Sequence, residues 1–369
     1  MSLTRIFCQD KTISFLQRSF AADKMAHSYI FAGRQGVGKF KTAFQWTKVL
    51  LCENPATENN LIDSCGACQS CRLLEADSHP DFINIYKELI QFTREGKNKK
   101  TPVDLPIDVI REFLIERVSS RPTLSKRKVF VVNEAERLNP ASQNSLLKVL
   151  EEQPAYCTII LLCSRLEKLL PTTRSRCQII RFSPIEEDRI IEYLKEMGIE
   201  AQKARYFARL GQGSLGLACQ WAKLELADAN LYETKKELLN NVSKYKYAES
   251  LQLAEKFVEE SKRIAGVWAK IDESTSKTDI NRRAAKTLIQ ILISALHDAM
   301  KLGTEDAKII NFEQKEQIKR IADRFVPQQA AEKIIDCCKT LVWVNSSVNE
   351  KLIFDYLLLS LAISDRITI

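Results

Sequence analysis

His27-Ser-Tyr-Ile-Phe-Ala-Gly33-Arg-Gln-Gly36-Val-Gly38-Lys39-Phe40 runs a short apolar segment straight into a glycine-rich loop. From Gly33 to Phe40 the loop has the phosphate-binding form G-x-x-x-x-G-K, with phenylalanine where Ser or Thr is expected. In a working loop the backbone N–H groups and the lysine cradle phosphates, while the hydroxyl holds the Mg²⁺ that bridges them. Phe40 has no oxygen to offer. Thr42 lies two positions on, and helical residues i and i+2 point about 200° apart, so its hydroxyl is not expected to stand in. After Lys39 the apolar positions Ala43, Phe44, Trp46, Val49 and Leu50 follow the helical period to about Leu51. The stretch therefore reads strand, loop, helix.

Outward from it the same alternation continues. Strands are expected at Phe82 to Tyr86, Val129 to Val132, Thr158 to Cys163 and Gln178 to Phe182. Helices are expected over 11 to 25, Ile107 to Val118 and Ala141 to Glu152, the last ended by Pro154. Apolar strands alternating with helices behind a phosphate loop predict an α/β P-loop domain with a parallel sheet covered on both faces. The Lys-rich stretch Arg94 to Pro106 reads as a mobile loop. From Pro184 strand signals vanish: Ile185 to Met197, Ala201 to Leu210 and Ser214 to Leu224 form a small helical lid, and beyond about Ala227 the chain is helical again, with breaks near Asp272 to Thr278, Gly303 and Pro327. The expected division is an α/β domain over 1–183, a helical lid over 184–226 and an all-α domain over 227–369.

At 369 residues the chain exceeds the roughly 250 to 300 that a single core supports. With 45% hydrophobic and 28% charged residues the composition is globular, and no segment approaches the roughly 20 uninterrupted apolar residues of a membrane span. Leu352 to Ile363 is the best candidate; it is short and contains Asp355. The first residues lack a basic region followed by an apolar core, so a cytoplasmic protein is expected. The net charge of +8 is compatible with nucleic acid without pointing to it, and the clusters Lys97 to Lys100 and Ser125 to Lys128 read as solvated loop faces.

In a reducing compartment eleven cysteines speak for metal ligation before disulfides. Cys52, Cys65, Cys68 and Cys71, spaced C-x₁₂-C-x₂-C-x₂-C with Gly66 to turn the chain, can close a tetrahedral Zn²⁺ site. Four protein ligands leave no open position, so the metal would be structural. At the end of the third strand a P-loop ATPase carries Asp-Glu; here the pair is Asn133-Glu134. An amide lacks the charge that suits a hard cation. Phe40 and Asn133 thus depart on the same function, Mg²⁺-dependent hydrolysis. Ser175-Arg176-Cys177 precedes the last strand, and by spacing alone Arg176 is a surface arginine. His27, His79 and His297 are scattered and ask for no catalytic role.

The phosphate loop, the four-cysteine insert, Ser78-His-Pro-Asp, Asn133-Glu134, Asn144-Ser-Leu-Leu-Lys-Val-Leu-Glu-Glu-Gln-Pro and Ser175-Arg-Cys together resemble the clamp-loader subunits of bacterial DNA polymerase III, of the AAA+ class. The resemblance runs from about residue 5 to 225; in the tail only Asn345 to Leu358 supports it. It implies a hetero-pentameric ring with gamma/tau and delta subunits, a sliding clamp and primed DNA as partners, and a helical collar with apolar stripes such as Leu288, Ile291, Leu292 and Leu296. The motor subunit, gamma/tau, should carry Ser or Thr after the loop lysine, Asp at the strand end and a sensor arginine in the lid; this chain has Phe40, Asn133 and Gly216. The resemblance therefore implies a ring member with a degenerate nucleotide site of its own, in which Gly33, Gly36, Gly38, Lys39, Phe40, Asn133 and Glu134 hold ATP or ADP weakly. Arg176 is implied to act in trans as a finger at a neighbour's ATP. An active ATPase of gamma/tau type is the alternative. Arg111, on a helix implied to line the ring, meets either template phosphates or, in a surface salt bridge, Asp108 or Glu112.

Overall fold

Three strands read as apolar runs because they are buried on both faces: β1 (Ser28–Ala32), β5 (Lys128–Val132) and β6 (Cys157–Cys163) expose no residue to solvent. They form the middle of a five-stranded sheet of order β4-β5-β6-β1-β7, edged by β4 (Phe82–Ile85) and β7 (Gln178–Arg181), with every neighbour parallel. A separate antiparallel pair, β2 (Ala56–Glu58) and β3 (Leu61–Asp63), lies in the cysteine insert. The structure is a computed structural model that describes residues 3, 6–58, 61–96, 102, 104–273, 275–304, 308–346 and 348–362. Lys97 to Lys100 lie outside the described residues, as do positions 101 and 103 of the expected loop.

Because side chains alternate along a strand, the sheet divides its apolar residues between two cores. Tyr29, Phe31, Val129, Val131 and Ile160 face one way, packed with Ala43 and Trp46 of α2 (Lys39–Leu51) and Ile13 and Leu16 of α1 (Asp10–Ala21). Ile30, Phe130, Val132, Ile159 and Leu161 face the other, packed with Leu146 of α6 (Pro140–Glu152) and Val109, Ile110 and Leu114 of the segment 107–118. That segment, expected as one helix, is α4 (Ile107–Ile110), a π-turn over Arg111–Ile115 and α5 (Glu116–Val118). Arg111 lies 3.7 Å from Asp108. The short helices α3 (Gln69–Glu75) and α7 (Pro171–Ser175) complete this compact unit, residues 1–185.

Residues 186–369 make the second compact unit, and every element described in it is helical. The expected lid is α8 (Glu187–Glu196), α9 (Ala201–Gly211) and α10 (Leu215–Leu226); then come α11 (Leu231–Lys244), α12 (Ser250–Ile271), α13 (Lys277–Lys301), α14 (Lys315–Arg324), α15 (Pro327–Asn345) and α16 (Glu350–Ala362). The stripe of Leu288, Ile291, Leu292 and Leu296 on α13 is buried. Among the described residues no helix is long and apolar enough to cross a membrane.

A polar cluster joins helices on both sides of the expected 226/227 boundary. The Lys235 ammonium lies 4.4 Å from the Tyr206 ring centre and 4.0 Å from that of Tyr232, and donates to Gln314 Oε1 at 2.6 Å. Burial pushes the Lys235 pKa down to about 8. Below that pH the lysine is charged in both folded and unfolded chains; between 8 and its ordinary 10.5 the unfolded chain binds more protons, so stability rises with pH. Urea melts at pH 7.5 and 9.5 should show wild type gaining about 2 kcal/mol more than a Lys235→Met variant. Equal gains in both would contradict this.

Candidate functional site

The phosphate loop leaves β1 and enters α2 on two glycines with different duties. A Cβ on Gly33 would sit 2.8 Å from both Cβ and the carbonyl oxygen of Phe182. Gly38 holds φ 101° immediately before α2, a left-handed conformation that favours glycine. With Gly36 at φ 78° between them, the loop keeps the backbone path of an anion cradle at a helix N-terminus. Its lysine is turned inward: Lys39 Nζ donates to Gly33 O at 2.6 Å and Arg34 O at 2.7 Å. Burial lowers its pKa, against the pull of Glu136 and Cys163. Phosphates entering here have to compete for an ammonium bonded to its own loop.

The positions where oxygen is expected for Mg²⁺ carry other chemistry. Phe40 is 42% exposed and stacks on Phe44, ring centres 6.3 Å apart, so a ring occupies the hydroxyl's place in the motif. Thr42 Oγ1 donates to Gly38 O at 3.0 Å, inside its own helix. The Asn133 amide donates to Asn84 Oδ1 at 2.7 Å and Ile85 O at 3.0 Å, tying it to the neighbouring strand. Glu134 stands in the left-handed region at φ 49°, paired with Arg137 at 3.2 Å. Gly216 lies in the first turn of α10 and presents no side chain.

Arg176 follows α7, whose start is fixed by Pro171. Its Nη1 donates to Thr172 O at 2.9 Å and its Nε to Glu151 Oε1 at 2.5 Å, and Nη2 pairs with the same carboxylate. The side chain is one-third exposed. A guanidinium held this way is a charged fork at the C-terminal end of a short helix, within reach of solvent. Sequence reasoning located the arginine and missed Glu151, which sits 25 positions earlier.

Cys52, Cys65, Cys68 and Cys71 come together: their sulfurs all lie within 4.8 Å of one another, Cys52 at 3.5 Å from Cys65 and 3.9 Å from Cys68. A tetrahedral zinc with bonds of about 2.3 Å spaces its sulfurs about 3.8 Å apart, so the donor set fits that ion. Three amides already point at sulfur: Cys65 N to Cys52, Cys68 N to Cys65 and Cys71 N to Cys68, at 3.3, 3.3 and 3.4 Å. Hydrogen bonds from the Ala67 and Cys68 amides draw the Cys65 thiol down to about 6, whereas burial pushes Cys52 and Cys71 up. The buried lysine Lys48 of α2 pairs with Glu75 of α3 at 2.7 Å and pins the insert to the domain.

In Ser78-His79-Pro80-Asp81 the histidine and the aspartate are buried and form a polar junction. The Asp81 carboxylate accepts the backbone N–H groups of Thr123, Leu124 and Ser125 at 2.6, 2.8 and 2.8 Å. His79 accepts the Asp81 N–H on Nδ1 at 3.1 Å, and its Nε2 lies 3.2 Å from the hydroxyls of both Ser70 and Ser125. Burial lowers its pKa, against the pull of Asp81.

Comparison with known proteins places these features in company. A family model described as "DNA polymerase III, delta subunit" matches residues 8–186, and one described as "DNA polymerase III, delta subunit, C terminal" matches 278–362. The DNA polymerase III subunit delta' of Escherichia coli K12 is 27% identical over 347 residues, 93% of this chain and 91% of that protein. The subunit delta' of Pseudomonas aeruginosa is 35% identical over 41% of this chain and 42% of that protein. The subunit gamma/tau of Mycoplasma genitalium is 32% identical over 56% of this chain and 32% of that protein. This chain therefore spans less than half of the latter two.

Proposed function

We propose, from the premise that this chain belongs to the DNA polymerase III clamp-loader family, that it is the loader's delta-prime subunit and assists ATP-driven loading of the sliding clamp. Its partners are the gamma/tau and delta subunits, the clamp and primed DNA in the cytoplasm, and its place is one position in a hetero-pentameric ring. Residues 1–183 act as the AAA+ domain, 184–226 as the lid and 227–369 as the collar. Arg176 reaches the ATP of the adjacent gamma/tau subunit and stabilises charge in its transition state. Zn²⁺ held by Cys52, Cys65, Cys68 and Cys71 crosslinks the insert and takes no part in chemistry.

The observation that carries this reading is the pairing of a disabled site with a kept one. Two positions that should give oxygen to Mg²⁺ offer a phenyl ring at Phe40 and an amide at Asn133 committed to Asn84. The arginine that serves a neighbour is intact and partly exposed. Gly33, Gly36, Gly38 and Lys39 retain a cradle for the phosphates of ATP or ADP without the means to hydrolyse them.

Nucleotide affinity measured with and without Mg²⁺ tests this. The wild-type chain should bind ATP with an affinity that Mg²⁺ changes by less than about twofold, and a Phe40→Thr, Asn133→Asp variant should gain about tenfold or more from the ion. A strong Mg²⁺ dependence in wild type would favour the active gamma/tau type of subunit instead. Co-elution with gamma/tau and delta subunits on size exclusion checks the ring placement; a chain that elutes alone contradicts it.

A further inference from the structure

The four cysteines are linked to the sheet by one continuous chain of hydrogen bonds that ends beside two of them. Because His79 Nδ1 accepts the Asp81 N–H, its proton sits on Nε2. That Nε2–H donates to Ser70 Oγ at 3.2 Å, the Ser70 hydroxyl to Ser125 Oγ at 3.0 Å, and the Ser125 hydroxyl to Leu51 O at 3.1 Å. Every hydroxyl gives one proton in one direction, so the chain closes with no donor left over. Leu51 immediately precedes Cys52, and Ser70 immediately precedes Cys71. Ser70 also donates its own N–H to Glu53 Oε1 at 3.2 Å, on the far side of Cys52. The other end is anchored by the wholly buried Asp81, which gathers three successive amides of the segment leading into β5.

We propose that Asp81, His79, Ser70 and Ser125 form a brace that sets the spacing of the cysteine thiolates before metal arrives and transmits metal occupancy to residues 123–125. The proposal rests on the reading of the four cysteines as a metal site. Ordering Leu51 and Ser70 in the metal-free chain removes part of the entropy that closing the site would otherwise cost. In the reverse direction, an ion that fixes Cys71 holds Ser70 in place to accept from His79, and so tightens the hold on Thr123 to Ser125. Hydrogen-bonded groups around ligands commonly change metal affinity 10- to 100-fold, about the range expected here.

The test uses the full chain, metal-stripped and reloaded, in competition with a chromophoric zinc chelator. Ser70→Ala, which deletes one oxygen, and His79→Ala should each weaken Zn²⁺ about 10- to 100-fold at a temperature where both remain folded by circular dichroism. In wild type, adding Zn²⁺ should slow hydrogen exchange at the Thr123, Leu124 and Ser125 amides; in Ser70→Ala it should not. A merely structural junction would lower the melting temperature and leave both readouts unmoved. Wild-type affinity in the variants, with wild type itself holding one metal, overturns the brace alone. A wild-type chain that binds no metal overturns the metal site and the brace with it. Should His79→Ala fail to fold, Ser70→Ala decides.

Discussion

A loader reconstituted with Arg176→Ala should lose ATP turnover at one site, by about 10³-fold or more at that site. The magnitude follows from where charge develops. Phosphoryl transfer leaves little covalent work to the protein, so a guanidinium placed against the transferring group acts almost wholly through electrostatic stabilisation in a site that water has left. In the free chain that guanidinium rests on Glu151 and on Thr172 O. With Glu151 about half exposed, such a surface pair is worth no more than about 1 kcal/mol and yields easily to a triphosphate. Arg176→Lys should restore little, because a point charge on a flexible stem does not reproduce a planar fork. Because the proposed ring holds further ATP sites, the measurement is single-turnover hydrolysis with clamp and primed DNA. The fast phase should shrink by the amplitude of one site. An unchanged amplitude and rate would remove Arg176 from the mechanism.

Loss of the metal carries the second large effect. Zinc analysis should find one ion per chain. Structural zinc contributes about 10–16 kcal/mol of binding energy in small fingers that fold only around it. Here the insert is also held by the pair of buried Lys48 with exposed Glu75 and by bonds from Leu3 and Gln17 to Asp63 and Ile62, so a fraction of that is at stake. Cys71→Ser, at the buried member of the set, should destabilise residues 1–185 by several kcal/mol and abolish stoichiometric zinc. Exchange should quicken most at 52–75 and at the 123–125 amides, above the general rise that the lost stability brings. A variant that keeps its metal and its stability would show that the cysteines meet for another reason.

How far the chain could be read before its structure depended on the range of the contacts. The central strands were legible because burial on both faces leaves an unbroken apolar run, as in Val129 to Val132 and Thr158 to Cys163. The three lid helices were legible because a helical apolar period is stated within each one's own residues, whereas beyond Ala227 the helical character and its breaks were legible but not the individual helices. Three features were not. The π-turn at Arg111 to Ile115 turns on one extra residue per turn, a difference smaller than apolar spacing can register over a segment of that length. The three-residue strands β2 and β3 are too short for alternation to show. The partners of the candidate residues lie far along the chain: Asn84 is 49 positions from Asn133, and Ser125 is 46 from His79. Residue type identified Phe40, Asn133 and Arg176, while only the fold could say what each one touches.

The assignment as a non-hydrolysing loader subunit turns on whether this chain burns ATP by itself. Mg²⁺-dependent hydrolysis by the purified chain, measured beside a Lys39→Ala variant, addresses that most directly. Background turnover, identical in the two proteins, is the predicted result. Turnover in wild type that disappears in Lys39→Ala would contradict the account, for it would mean that a phenylalanine and an amide leave the metal site working.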